Sequence, residues 1–165
     1  MPDQIETLHD LFELKLQGLH DAEKQLVKAL AKLAGQATDP RLRLNLEQHL
    51  DETKIHVKRL EDAAFNLNLD LKGPACQVMT SLIAEGQQHI ARCTFDEVRD
   101  AAIIGAAQAI EHYEIAQYGT AVYFAKCLTY EVEAALLTAT LDEEKKTDEL
   151  LNQLAVNSID TKAMS

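Results

Sequence analysis

The sequence predicts an all-α bundle of four long helices and one short one, and three observations predict it. Apolar residues recur three and four apart over long stretches, which is the period of a helix with one buried face. Leu and Ala supply most of the apolar content, whereas the 165 residues hold only 6 Gly and 3 Pro and no Trp, so little interrupts long helices packed by aliphatic side chains. Finally, the turn and cap residues gather at a few places, each lying between periodic segments.

The first helix is expected from about Ile5 to Leu33, with the stripe Leu8, Phe12, Leu16, Leu19, Glu23, Leu26, Leu30 and Leu33, and Gly35 ending it. Thr38-Asp39-Pro40 supplies a cap residue and an early proline for a second helix running to about Asn66 through Leu42, Leu46, Leu50, Val57 and Leu60. Lys72-Gly73-Pro74 is a strong break, followed by a shorter helix over about 75–92. Thr94, with Glu97 three residues on, reads as a capping box opening a long fourth helix to about Cys127. Thr129 is expected to cap the fifth, which runs to about Val156. The residues from 157 to 165 read as a loose polar tail on a single domain spanning 1–165.

The turns between helices one and two and between four and five are short, so each pair forms an antiparallel hairpin. The segment from Asn66 to Phe95 is the long crossover joining them and contains the short helix. Two helical hairpins joined by one long crossover make a ferritin-like four-helix bundle.

A net charge of −11 repels nucleic-acid phosphates and anionic lipid, and no basic tail offsets it, so neither nucleic acid nor membrane is an expected partner. No apolar run reaches the length of a membrane span. Cys76, Cys93 and Cys127 are odd in number and lack metal or redox spacing. They read as free thiols, and with no N-terminal signal pattern the expected compartment is the cytoplasm.

Carboxylates occupy the seams of all four long helices where apolar residues are expected. Glu23 interrupts the first stripe; Glu52 and His56 lie one turn apart on the second helix, Glu111 and Glu114 on the fourth, Glu144 and Asp148 on the fifth. Isolated buried carboxylates are costly unless paired or bound to metal. Glu23 and Glu52 are equidistant from the first turn, and Glu114 and Glu144 from Thr129, roughly 22 Å along the helix in each case. Packed in register, the hairpins bring four carboxylates together at mid-bundle. The expected set is Glu23 and Glu114 as single donors, with Glu52–His56 and Glu144–Asp148 as paired donors, around two ions of iron or manganese.

Glu111 competes with Glu114, and Glu143 competes with Glu144, because Leu50-Asp51-Glu52-Thr53-Lys54 echoes Leu141-Asp142-Glu143-Glu144-Lys145. Glu85 in the crossover helix is a candidate to cap the site. His20, His49 and His112 flank it, and Tyr113, Tyr118 and Tyr123 read as core or interface residues. The paired motif usual in such bundles is Glu-x-x-His; here Glu52 and His56 are four apart and the fifth helix has no histidine, which describes an oxygen-rich variant.

Five stretches carry a resemblance: His20-Asp21-Ala22-Glu23-Lys24-Gln25-Leu26, His49-Leu50-Asp51-Glu52-Thr53, Arg99-Asp100-Ala101-Ala102, Ile110-Glu111-His112-Tyr113-Glu114-Ile115-Ala116, and Leu141-Asp142-Glu143-Glu144-Lys145 through Asp148. Over nearly its whole length the chain resembles the YciF-like stress proteins of bacteria. The resemblance implies a ferritin-like fold related to rubrerythrin-like di-iron proteins, a homodimer and bacterial cytoplasmic residence.

The expected function is a dimetal carboxylate protein handling oxygen or peroxide under stress. The alternative is a non-enzymatic stress or structural interaction protein whose metal site is vestigial or purely structural. A third option, an iron store, requires assembly into a cage.

Overall fold

The computed structural model describes residues 4–164, the side chains of residues 158 and 161 excepted. The described residues form an all-helical bundle in which α1 spans Leu8–Gln36, α2 Pro40–Leu67, α3 Gln77–Ala91, α4 Asp96–Cys127 and α5 Glu131–Leu154. A π-helical turn, Ala155–Ile159, and a short α6, Asp160–Ala163, close the chain. α1 packs on α2, and α4 on α5. The hairpins meet through α2 on α5 and α1 on α4, while α3 lies on α4 and touches α1. No described helix is long and apolar enough to cross a membrane.

The ends of the helices follow local chemistry. Thr7 caps α1 in a reciprocal box with Asp10, so the helix starts later than Ile5. Gly35 does not end it; the helix runs on to Gln36. Asp39 caps α2 through the amides of Arg41 and Leu42, with Pro40 in the first turn. The capping box expected at Thr94 does not form: Phe95 is the residue before α4 and makes no side-chain cap bond. Thr129 is likewise not the cap of α5. It takes φ 60°, and Tyr130 N–H reaches Ala125 O at 2.9 Å while Thr129 N–H reaches Lys126 O at 3.1 Å. That is a Schellman closure of α4, with a β-branched residue in the position usually held by glycine. Asn68, at φ 56°, closes α2 in the same way. Beyond Asn157, where a loose tail is expected, the chain stays helical to Ala163, because Ala155 and Ile159 are buried in the core.

Two apolar cores fill the bundle. Toward the α1–α2 turn lie Leu26, Leu30, Leu33, Leu42, Leu46, Ile103, Ile104 and Leu151. Toward the α4–α5 turn lie Phe12, Leu16, Leu19, Leu60, Tyr118, Ala121, Ala125 and Leu137. Asp100 of α4 ties the first turn down, accepting from Thr38 N–H, Thr38 Oγ1 and Asp39 N–H at 2.8, 2.6 and 2.8 Å. Between the two cores, along each long helix, the buried side chains become polar.

Candidate metal centre

Each long helix delivers its polar residues by the same rule. The buried positions of α1 (Phe12, Leu16, Leu19, Glu23, Leu26, Leu30, Leu33) alternate four and three apart. In α2 the run is Leu46, His49, Thr53, His56, Leu60, Ala63; in α4 it is Ala107, Glu111, Glu114, Tyr118, Ala121, Ala125. In α5 it is Leu137, Thr140, Glu144, Thr147, Leu151. This seven-residue repeat keeps one face of each helix inward along the whole bundle. At mid-height the repeat places Glu23, His49, His56, Glu111, Glu114 and Glu144 in one buried layer.

Their donor atoms converge. His49 Nε2 lies 2.9 Å from Glu111 Oε1 and 3.8 Å from Glu144 Oε2. His56 Nδ1 lies 2.9 Å from Glu144 Oε1 and 3.4 Å from Glu23 Oε1. Two groups of donors emerge, one from His49, Glu111, Glu114 and Glu144 and one from Glu23, His56 and Glu144, with Glu144 common to both. These close approaches lack hydrogen-bond alignment. Nine buried donor atoms of these six residues have no hydrogen-bond partner: both oxygens of Glu111, Glu114 and Glu144, Glu23 Oε2, His49 Nε2 and His56 Nδ1. Buried polar atoms are normally satisfied, so nine orphans gathered together make a donor set that could hold a metal ion.

The electrostatics agree. Burial pushes Glu144 up to about 7, with the charge of Glu111 adding to it. Burial takes Glu111 to about 8, and holds Glu114 and Glu23 above the usual carboxylate range too. Burial alone would lower His56, but Glu144 and Glu23 outweigh it and hold the ring protonated up to about 11. Burial lowers His49, whose compensating charges are weaker. Without a cation, protons carry the positive charge that this layer demands.

The outer partners orient the donors. His56 turns its Nε2 to Glu143 Oε2 at 2.8 Å, and Arg59 holds Glu143 through both oxygens at 2.6 and 3.0 Å. Such a carboxylate behind a histidine fixes which nitrogen faces inward. His49 Nδ1 faces Thr147 Oγ1 at 3.4 Å and Glu52 Oε2 at 4.0 Å. Tyr118 OH donates to Glu23 Oε1 at 2.5 Å.

The expected ligands thus divide. Glu23, His56, Glu111, Glu114 and Glu144 meet in the layer. Glu52 does not: it falls one position before Thr53 on α2, off the inward stripe, and its side chain is 37% exposed. Asp148 lies one position past Thr147 and turns outward, 3.5 Å from His112 Nδ1 and 3.4 Å from Gln108 Nε2. Glu85 is exposed on α3. The choice left open between Glu143 and Glu144 goes to Glu144 for the interior, and Glu111 and Glu114 both enter. His20 pairs with Glu61 at the rim, and His112 is exposed. His49, read as flanking, stands in the layer instead of Glu52. The signal that finds it is its place in the heptad stripe between Leu46 and Thr53.

A family model described as "Domain of unknown function (DUF892)" matches residues 7–164. Protein YciF of Escherichia coli (strain K12) is 42% identical over 160 residues, 96% of each chain. The crystal structure of that E. coli stress protein superposes with a TM-score of 0.90 over 94% of this chain and 99% of its own. YcfI from Rhodopseudomonas palustris, described as a candidate structural protein, is 37% identical, with a TM-score of 0.89 over 92% and 97% of the two chains. A Xanthomonas campestris protein at 20% identity and a TM-score of 0.77, matched over 96% of this chain and all of its own, shares the fold. The resemblance read from the sequence motifs agrees with these comparisons, and the chain belongs to the DUF892 family.

Proposed function

We propose that this chain is a ferritin-like dimetal carboxylate protein of the bacterial stress response. The observation that carries the reading is the set of nine unsatisfied buried donor atoms arranged in two groups about Glu144. Four carboxylates balance the charge of two divalent cations, and hard oxygens with one imidazole per group suit iron or manganese. His49, Glu111 and Glu114 would hold one ion, Glu23 and His56 the other, with Glu144 between them.

Bound iron or manganese would supply one-electron redox chemistry toward oxygen or peroxide. The chain's own residues do the rest. Arg59 and Glu143 hold the His56 ring, Tyr118 holds Glu23, and the two apolar cores exclude water from both ends of the layer. The bacterial cytoplasm and a homodimer belong to the same reading; the likeness to the E. coli stress protein YciF supports its stress-response part.

The test is metal analysis of protein purified without chelator, for the wild type and Glu144→Gln. Two equivalents of iron or manganese per chain, both lost in Glu144→Gln, support the reading. Metal far below one equivalent after loading with iron(II) or manganese(II) refutes it. That result would favour the second reading, a non-enzymatic structural protein, for which the description of the R. palustris relative speaks.

A further inference from the structure

A cavity of about 260 Å³ opens between α1, the crossover segment before α3, and α4. It lies outside the metal layer, and its lining is chemically uneven. Leu14 and Leu19 contribute apolar surface to it, while Lys15, Cys76, Tyr113 and Gln117 bring polar groups. Lys15 is the informative member. In a chain of net charge −11 it has no carboxylate within ion-pair distance among the described residues; its Nζ donates to the neutral Gln117 Oε1 at 2.5 Å. It is half-buried, and that burial lowers its pKa, so its charge is incompletely solvated.

Tyr113 OH and Cys76 Sγ pair with each other at 3.1 Å, with no further side-chain partner among the described residues. Asp21, which reaches the backbone of Cys76, is engaged by Cys76 N–H and Gln25 Nε2 at 2.6 Å each. Gly18 adds room at the centre of α1: a Cβ built there meets no heavy atom within 4 Å. A mid-helix glycine costs roughly 1 kcal/mol against alanine, and here its missing side chain leaves the cavity open.

We propose that this cavity binds small amphipathic carboxylates, the headgroup on Lys15 and Tyr113 and the chain along Leu14 and Leu19. A partly desolvated ammonium with no anionic partner among the described residues, beside a hydroxyl and apolar side chains, selects an anion with a short hydrocarbon tail. The volume lies just under the range of about 300 Å³ and above that houses drug-sized ligands, which sets the scale near octanoate. The inference does not rest on the metal reading, and it is tested on metal-free protein.

The experiment uses the chelated full chain carrying Cys93→Ser and Cys127→Ser, so that Cys76 is its only thiol. The rate of Cys76 alkylation by iodoacetamide is measured against octanoate and against octanamide, with calorimetric titration alongside. Octanoate should slow alkylation saturably, and octanamide should bind about tenfold more weakly, the loss of one charge-assisted hydrogen bond. Lys15→Gln should weaken octanoate by a similar factor and Lys15→Arg should retain it. Gly18→Leu, which fills the cavity without meeting protein atoms at its Cβ, should abolish it while circular dichroism shows an intact helical fold. Equal binding of octanoate and octanamide, an unsaturable effect, or unchanged affinity in Lys15→Gln or Gly18→Leu overturns the proposal.

Discussion

Raising the pH of the chelated protein should destabilise it, and the structure supplies the amount. Glu111 and Glu144 rise on folding from an ordinary 4.5 to about 8 and about 7. A carboxyl raised on folding stabilises the fold at low pH and loses that contribution as pH climbs from 4.5 through its folded value. Between pH 5 and 7 each is protonated in the folded chain and ionised in the unfolded one. His49, lowered by burial, acts oppositely below 6.5, where the unfolded imidazole is protonated. His56, raised to about 11, acts with the carboxyls above 6.5.

Below pH 6.5, two protons lost against one gained leaves a net of one, about 1.4 kcal/mol per pH unit; above it the net is about three, which brings the loss from pH 5 to 7 to about 4 kcal/mol. Glu23 and Glu114 shift in the same direction and can only add. At roughly 2–4 °C per kcal/mol for a chain of this size, Tm should fall by about 8–16 °C. Manganese(II) or iron(II) should restore it at pH 7.5–8 and do little at pH 5, because the ligands must deprotonate to bind. Thermal melts by circular dichroism over pH 5–8, with and without metal, check this. A flat or rising Tm in the chelated protein, or equal metal stabilisation at both ends, would refute the electrostatic account of the layer.

Other outcomes follow from single side chains. His49→Ala should lower metal stoichiometry, whereas Glu52→Ala should keep it and change only affinity; metal analysis after desalting distinguishes them. Asp100→Ala strands two backbone N–H groups of the α1–α2 turn and should cost about 2–4 kcal/mol by urea denaturation. Thr129→Asn should stabilise by roughly 0.5–1 kcal/mol in the same assay, since asparagine tolerates the left-handed backbone that a β-branched residue resists.

The helical bundle was legible from apolar spacing and break residues, because helix period and turn chemistry are local. The ends were less so: Thr94 and Thr129 look like caps, yet the capping atom is decided by how the preceding helix closes, as the Schellman turn at Thr129 shows. In the site, height along the bundle was readable from distance to the turns, but rotation about each helix axis was not read from the carboxylates alone. A helix turns by roughly 100° per residue, so one position separates inward Thr53 from outer Glu52, and inward Thr147 from outer Asp148. The alternating three-and-four repeat carries that information, and it selects His49, Glu111 and Glu144. The bond between Tyr118 and Glu23, from helices far apart in sequence, has no local signal at all.

The most direct measurement is an anomalous-scattering map of metal-loaded crystals collected at the iron and manganese edges. The account predicts two peaks in the layer between the apolar cores, one on each side of the Glu144 carboxylate, with His49 beside one and His56 beside the other. A loaded crystal with no peak in that layer, or with metal only at the outward-turned Glu52 and Asp148, would contradict it.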